Sequence, residues 1–473
     1  MIRPLLLLAL FALPAAAAET SSFPVHKDWS WVQGCVFVPT NCTNEAQQWD
    51  QYDPAINDRE LHYASLYGIN TVRVYLHYFI YLKDKTKLLN NIEDFLTRAD
   101  KYHIKTEFVF FDDCWHEPSP DILKSDYQYP APVPGVHNSR WLLSPGHDVL
   151  NHYNENRDRL QSYVQDIVNA HKSDPRIIFW ETYNEPKEGP NVHHLMKDSQ
   201  QWIHETGSTI PVTATGLPQF TGDPYSDFHT WHNYTDKYQL SGDQFSLNTE
   251  CMNRQTQSVP GIVEHFKGKT GFILWEFGIG RDNCRYAWKD KPESPAKSEP
   301  QKPFHGLVYP DGHPWSISDI QSLMGSAAFA KIPLFKAEYF KDDRFADLAK
   351  TSVTPFVDFD LPDEPGAGSP DASAGVPFQH FSLRYTATIA APATGKYTIT
   401  ADTAGSGTAT VSFESSFGDC ATLPPSNQLQ LDLAAGERHT LTIQYSHPTG
   451  PTHLHLTWSS PTTPLQLVTP VAP

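Results

Sequence analysis

Of the 473 residues, 36 are Lys or Arg and 54 are Asp or Glu, giving a formal charge of −18. An acid excess of that size excludes a polyanion such as nucleic acid as partner, because phosphate binding needs clustered cations. The length allows two to four domains. The 12 Trp, 21 Tyr and 26 Phe suit either large cores or the stacking of neutral sugars on aromatic faces.

Arg3, a short apolar run and Ala15–Ala18 read as a secretory signal peptide over residues 1–18, which implies a secreted or periplasmic protein. No later stretch is apolar enough to span a bilayer, so no membrane insertion is expected. Six cysteines in an exported chain can oxidise, and Cys35 and Cys42 are close enough to bridge a loop. No cysteine or histidine spacing suggests a zinc site, and no metal or cofactor is expected.

Apolar runs then follow one another as strands: 31–38, 68–75 ending near Arg73, 105–112 closed by Asp112 and Asp113, and 177–186. The last run is Ile-Ile-Phe-Trp-Glu-Thr-Tyr-Asn-Glu-Pro. It delivers Asn184 and Glu185 at the carboxyl end of a buried strand, and Pro186 stops the ladder there. Further strands read at 210–216, 227–234, 245–252 and 271–277. Helical spacing marks 58–67, 92–99, 160–168, 192–202, 262–266 and 317–324. Eight short apolar runs mostly alternating with helices predict an α/β fold, a (β/α)8 TIM barrel, over residues 19–330.

From Phe335 onward the helical period gives way to alternating β-prone runs at 381–389, 395–401, 408–413, 439–445 and 453–458. These predict an all-β sandwich domain over 331–473. Residues 360–375 read as a loop within it, and the Pro- and Thr-rich tail after Trp458 as poorly ordered.

Barrels of this kind place reactive groups at the carboxyl ends of their strands. Here those ends carry Arg73, Asp112, Asp113, Glu185, His232, Tyr234, Glu250 and Glu276. Hydrolysis of a glycosidic bond needs two carboxyls flanking it, one protonated and one ionised. Glu185 is one, and either Glu250 or Glu276 is its partner. The loop from 112 to 150 holds Trp115, His137 and Trp141, which are candidates for contacting a ligand.

With Asn184-Glu185, Thr249-Glu250-Cys-Met, His232-Asn-Tyr234 and Trp275-Glu276-Phe-Gly, residues 31–325 resemble glycoside hydrolase clan A, in a cellulase- or mannanase-like branch. The resemblance implies a retaining β-glycosidase with Glu185 as acid/base and Glu250 as nucleophile, Glu276 being the alternative nucleophile. It further implies that Arg73 and Tyr234 touch the nucleophile. Asn184 would bind a sugar 2-hydroxyl, His232 hold the site and Trp275 floor the sugar subsite. Beside the resemblance, Asp112, Asp113, Trp115, His137, Trp141 and Glu276 are further candidates for supporting substrate, the acids reading equally as ligands of sugar hydroxyls, as ligands of calcium or as structurally satisfied groups.

The implied reaction is double displacement on a polysaccharide or oligosaccharide, endo-acting on a β-1,4-linked mannan, glucan or xylan. An exo-acting enzyme is the alternative, and a non-catalytic carbohydrate-binding barrel a second one. In that scheme Glu185 holds a proton near neutral pH because Glu250 repels its charge. Phe335–Phe340, Phe381–Ala387 and Ala391–Thr400 resemble the protective-antigen-type β-sandwich, which implies an accessory module that binds glycan or packs on the enzyme.

Overall fold

The computed structural model describes residues 25–187, 189–215, 225–238, 240–241, 244–403, 405–415, 420–422 and 427–472. The signal peptide expected at 1–18 lies outside them. Eight parallel strands follow in order: β1 (Gln33–Val36), β2 (Thr71–Tyr75), β3 (Lys105–Asp112), β4 (Ile177–Asn184), β5 (Val212–Thr215), β6 (Thr230–Asn233), β7 (Leu247–Cys251) and β8 (Gly271–Leu274). Their order in the sheet is β5-β4-β3-β2-β1-β8-β7-β6, a nearly closed barrel. The remaining seam, between β5 and β6, is bridged by side chains: Thr213 Oγ1 lies 2.9 Å from Thr230 Oγ1. Among the described residues, no helix is long and apolar enough to cross a membrane.

Helices pack outside through their apolar stripes. In Lys85–Lys101, for instance, Leu88, Ile92, Phe95, Leu96 and Ala99 are buried, the three-and-four spacing of one helix face. A second, smaller apolar cluster fills the lumen and includes Trp29, Val36, Val109, Phe179, Leu247 and Trp275. The described segments between β5 and β6 and between β6 and β7 contain no helix.

Strands β9 to β19 form two antiparallel sheets. The first has the order β10-β9-β12-β17-β14-β15, from β9 (Phe335–Phe340), β10 (Leu348–Thr354), β12 (Phe381–Ala390), β14 (Thr408–Ser415), β15 (Cys420–Thr422) and β17 (Arg438–His447). The second has the order β11-β18-β13-β16, from β11 (Asp358–Leu361), β13 (Gly395–Thr403), β16 (Gln428–Leu433) and β18 (Thr452–Ser460), with β19 (Thr463–Leu467) added on β18. Alternation is plain in β17, where Leu441, Ile443 and Tyr445 are all buried.

Two expectations are corrected here. The tail after Trp458 is not loose: β18 runs to Ser460 and β19 pairs back on it. Residue 360, assigned to a loop, lies in β11. Both segments have few branched apolar residues and frequent polar ones, so neither shows the alternation by which strands are found.

Among the described residues no disulfide is present, and Cys35, Cys42, Cys114, Cys251 and Cys284 are free. The bridge expected between Cys35 and Cys42 fails on direction. Cys35 packs in the core between sheet and helices, Cys42 in the lumen cluster.

Barrel and sandwich meet across a buried polar cluster. Asp371, fully buried, accepts from Lys350 Nζ at 2.6 Å and lies 3.2 Å from His313 Nε2. Asp311 receives Tyr339 Oη at 2.6 Å. Burial alone would raise Asp371, but His313 and Lys350 outweigh it and hold the carboxyl far below its usual range. His313 is held above its ordinary value, against burial, chiefly by Asp311. The depressed Asp371 contributes stability present above the unfolded carboxylate value near 3.8 and lost as pH falls toward its folded value. The raised His313 contributes below about 6.5 and loses that contribution as pH rises through its folded value. Stability from this cluster is therefore fullest between about pH 4 and 6.5. Asp371→Asn, which leaves Lys350 and His313 facing a neutral group, is expected to cost about 3 kcal/mol or more. Thermal unfolding of the full chain across pH checks this: the wild type should lose its advantage over the variant at acid pH.

Candidate active site

The residues singled out in the sequence sit where three strands break register. The β4–β5 ladder shifts between Glu181 and Asn184, the β6–β7 ladder between Trp231 and His232, and the β7–β8 ladder between Asn248 and Cys251. Strict alternation would turn Asn184 away from the side taken by Glu181, yet both bond Arg73 in the lumen. On β7, Leu247 packs in the lumen and Cys251 on the outer side, although they are an even number of residues apart. The irregularity thus delivers Glu250 inward. Glu185, directly after β4, has φ +42°, a left-handed conformation that a residue before proline rarely adopts. Trp115 at +76° and Met252 at +85° are similarly strained, each at a cost on the order of 1 kcal/mol.

Glu185 and Glu250 face each other. One oxygen of each, with a ring nitrogen of His232, lie within 4.8 Å of one another. His232 Nδ1 is 2.8 Å from Glu185 Oε1 and 3.3 Å from Glu250 Oε2. Glu250 is held on both oxygens: Oε1 accepts from Arg73 Nη1 at 2.7 Å and Tyr75 Oη at 3.0 Å, and Oε2 from Tyr234 Oη at 2.6 Å. Arg73 also bonds Glu181 at 2.7 Å, Glu107 at 3.0 Å and Asn184 Oδ1 at 2.9 Å.

Arg73, Glu107 and Glu181 are fully buried, so unpaired charge among them is costly. Burial and the neighbouring Glu181 push Glu107 well above the ordinary carboxylate range. Glu181, despite burial, is held below it by Arg73 and by a hydrogen bond from Glu107. The two shifts run in opposite directions, Glu107 toward its neutral form and Glu181 toward the charged form that answers Arg73.

The expected rise in the Glu185 pKa is reversed in direction. Burial raises its pKa, but the hydrogen bond and charge of His232 outweigh burial and hold it below the usual value. His232 itself, penalised by burial, is raised by the charge of Glu250 and by its bond to Glu185. The two shifts run in opposite directions, His232 toward its charged form and Glu185 toward its ionised one.

A pocket of about 410 Å³ opens over this pair, lined by Asn184, Glu185, Tyr234, Glu250 and Trp275, together with Trp115, His137, Trp288 and His305. Trp115 and Trp288 both line it and are at least a third exposed, which leaves aromatic surface for a ligand. His137 packs on Trp115 with ring centroids 5.0 Å apart, and burial pushes its pKa down to about 4. Cys114 Sγ lies 3.3 Å from Glu185 Oε2.

Other expected contacts lie behind the wall. Asp112 is buried and holds Asn184 Nδ2 at 2.9 Å and Trp141 Nε1 at 2.7 Å, and burial pushes its pKa up to about 7. Trp141 is buried against Trp275, centroids 5.3 Å apart. Neither lines the pocket, so both support the site rather than substrate. Glu276 is displaced further: it is buried beside Asp282 and Cys284. The chain turns after β8 ends at Leu274, which points Trp275 toward the pocket and Glu276 away from it.

Sequence reasoning did not select Tyr75, Glu107, Glu181, Cys114, Lys187, Trp288 or His305. Tyr75 and Glu181 stood two residues from Arg73 and four from Glu185, on strand faces that alternation could have assigned. Trp288 and His305 lie in a long loop after β8, with no periodicity to mark them.

Residues 334–470 match the PA14 domain family. A search of curated proteins finds no match. The chain is similar in fold to an anti-sigma factor domain-containing protein from Clostridium clariflavum: 19% identity, TM-score 0.23, covering 29% of this chain and 45% of that one. It is also similar to GH5_18 from Streptomyces cattleya in complex with GlcNAc: 8% identity, TM-score 0.42, covering 63% and 80%. A third similarity is to an exo-beta-1,4-mannosidase from Opitutaceae bacterium strain TAV5: 14% identity, TM-score 0.40, covering 61% and 57%. The chain spans less than half the length of the first of these.

Proposed function

We propose that this protein is a retaining β-glycosidase, exported from the cytoplasm, that hydrolyses a β-linked polysaccharide or oligosaccharide with Glu250 as nucleophile and Glu185 as acid/base. The observation that carries the reading is the approach of the two carboxylates within 4.8 Å with His232 between them. A covalent route needs carboxyls close together, about 5–5.5 Å apart, whereas an inverting route needs room for a water between them.

In the first step Glu250 attacks the anomeric carbon and the bond to the leaving oxygen breaks. That oxygen takes the one proton shared by Glu185 and His232 across their 2.8 Å hydrogen bond, delivered through Glu185, which leaves Glu185 ionised and His232 neutral. Arg73, Tyr75 and Tyr234 hold Glu250 in line for attack. In the second step Glu185 takes a proton from water as the water attacks the anomeric carbon and the sugar–Glu250 ester bond breaks, which frees the Glu250 carboxylate and returns the proton to the Glu185–His232 pair. Asn184, fixed by Arg73 and Asp112, lines the pocket next to Glu185.

The loops after β3, β4, β6 and β8 all contribute to the pocket walls. Walls on several sides suit attack near a chain end, so exo action, the alternative expected from sequence, is proposed in place of endo action. Chromatography of products from mannan, glucan and xylan oligosaccharides tests this. Release of single sugars or disaccharides, first appearing as the β-anomer, is the expected result. An absence of hydrolysis across the panel, or an inverted first product, would overturn the reading. Trp288→Ala is expected to raise KM about tenfold with a smaller change in kcat, because it removes an open aromatic face and no reacting group.

A further inference from the structure

On the side of the sandwich nearest the barrel, β11 and β18 pair antiparallel with Asp358 opposite His455 and Asp360 opposite His453. Residues two apart on a strand share a face, so two imidazoles and two carboxylates are gathered on one patch. The rings of His453 and His455 stack with centroids 3.9 Å apart. Both address one carboxylate: His453 Nδ1 lies 2.6 Å from Asp360 Oδ1, and His455 Nε2 lies 3.4 Å from Asp360 Oδ2. The other nitrogen of His455, Nδ1, is 2.5 Å from Asp358 Oδ1. Asp402, on the neighbouring β13, brings a third carboxylate to 3.6 Å from His453 Nε2.

We propose that Asp360, His453 and His455 form a binding site for a divalent transition metal of the Zn²⁺ class. One donor atom from each lies within 4.8 Å of the others, so a small side-chain rotation closes the set around an ion. Two imidazoles with a carboxylate select zinc-like ions over Ca²⁺ or Mg²⁺, which prefer all-oxygen shells. Asp358 would do what a carboxylate behind a metal-bound histidine does: accept from Nδ1, fix the tautomer and aim Nε2 at the ion. All three ligands are on paired strands and are partly exposed, so the site is rigid and reachable. The site is independent of the glycosidase reading, since none of its residues lines the pocket.

Arg59 supplies a discriminating handle. From the barrel helix Pro54–Leu66 its guanidinium reaches Asp360 at 3.2 Å and Asp358 at 3.8 Å, so it competes with a cation for the same oxygens. A purely structural ion-pair cluster would be weakened by losing Arg59, whereas a metal site would be strengthened.

The test is titration of the chelator-treated full chain with Zn²⁺ by calorimetry and with Co²⁺ by visible absorption. The expected result is one tight equivalent in the wild type, weakened more than about tenfold in His453→Gln/His455→Gln, and tightened several-fold in Arg59→Gln. Zinc taken up at Glu185, His232 and Glu250 would be untouched by these substitutions, so a loss in the double variant assigns the ion to the sandwich. Equal binding by wild type and double variant would overturn the proposal. So would no uptake by a wild type whose thermal unfolding is normal.

Discussion

Glu250→Gln is expected to lower kcat by about 10⁵ or more while leaving the fold intact, because an amide cannot attack an anomeric carbon. The neighbours tolerate the change unequally. Tyr234 can still donate to the amide oxygen, but Arg73 and Tyr75, which both donate to Oε1, lose a charged acceptor. Glu185→Gln should behave differently. Loss of the acid is expected to cost about 10²–10⁴ on substrates with poor leaving groups. On aryl glycosides whose leaving group needs no proton, the first step should survive and the glycosyl-enzyme accumulate, since no base then activates water. A burst of released phenol in Glu185→Gln, absent in Glu250→Gln, is the signature that separates the roles. Equal losses on every substrate would show that the two carboxylates do not divide the work in this way.

Arg73→Met carries the second large effect, on stability as well as rate. Arg73 is fully buried and is the shared partner of Glu107, Glu181 and Glu250. Breaking a buried ionic cluster on one side leaves uncompensated charge and costs about 3–5 kcal/mol. Denaturant unfolding should show that loss, and hydrolysis should fall to background because Glu250 and Asn184 both lose their anchor. Combining Arg73→Met with Glu181→Gln removes the charge that Arg73 chiefly answers. The double variant should regain part of the stability without regaining activity. If it regained neither, Glu181 would not be the ionised member of the lumen pair. If Arg73→Met kept activity, Arg73 would not orient the nucleophile.

The fold was legible because its signals are periodic. Eight apolar runs at the right spacing indicated the barrel, and the same count put Glu250 on β7 and Glu276 beyond it. Without that count, the Trp-Glu-Phe-Gly string would have made Glu276 the stronger candidate, and the structure buries it beside Asp282 and Cys284. What sequence did not reveal depends on three-dimensional neighbours. A raised Glu185 pKa was expected by reasoning from Glu250 alone, whereas His232 stands 2.8 Å away and lowers it. Glu107 and Glu181 went unselected because nothing local in an apolar strand says that a lumen can hold two acids around one arginine. Trp115, among the candidates, and Trp288, not among them, both reach the pocket on loops, where no period exists to read. The register shifts in β4, β6 and β7 were invisible for a related reason: one extra residue changes which face a side chain takes, and composition does not record it.

The covalent role of Glu250 can be tested most directly by trapping. Incubation with a 2-deoxy-2-fluoro glycosyl fluoride of the preferred sugar should yield a stable adduct, because fluorine slows the second step more than the activated leaving group slows the first. Peptide mass spectrometry is expected to place one sugar on Glu250. A sugar on Glu276, or turnover with an inverted product and no adduct, would contradict the account.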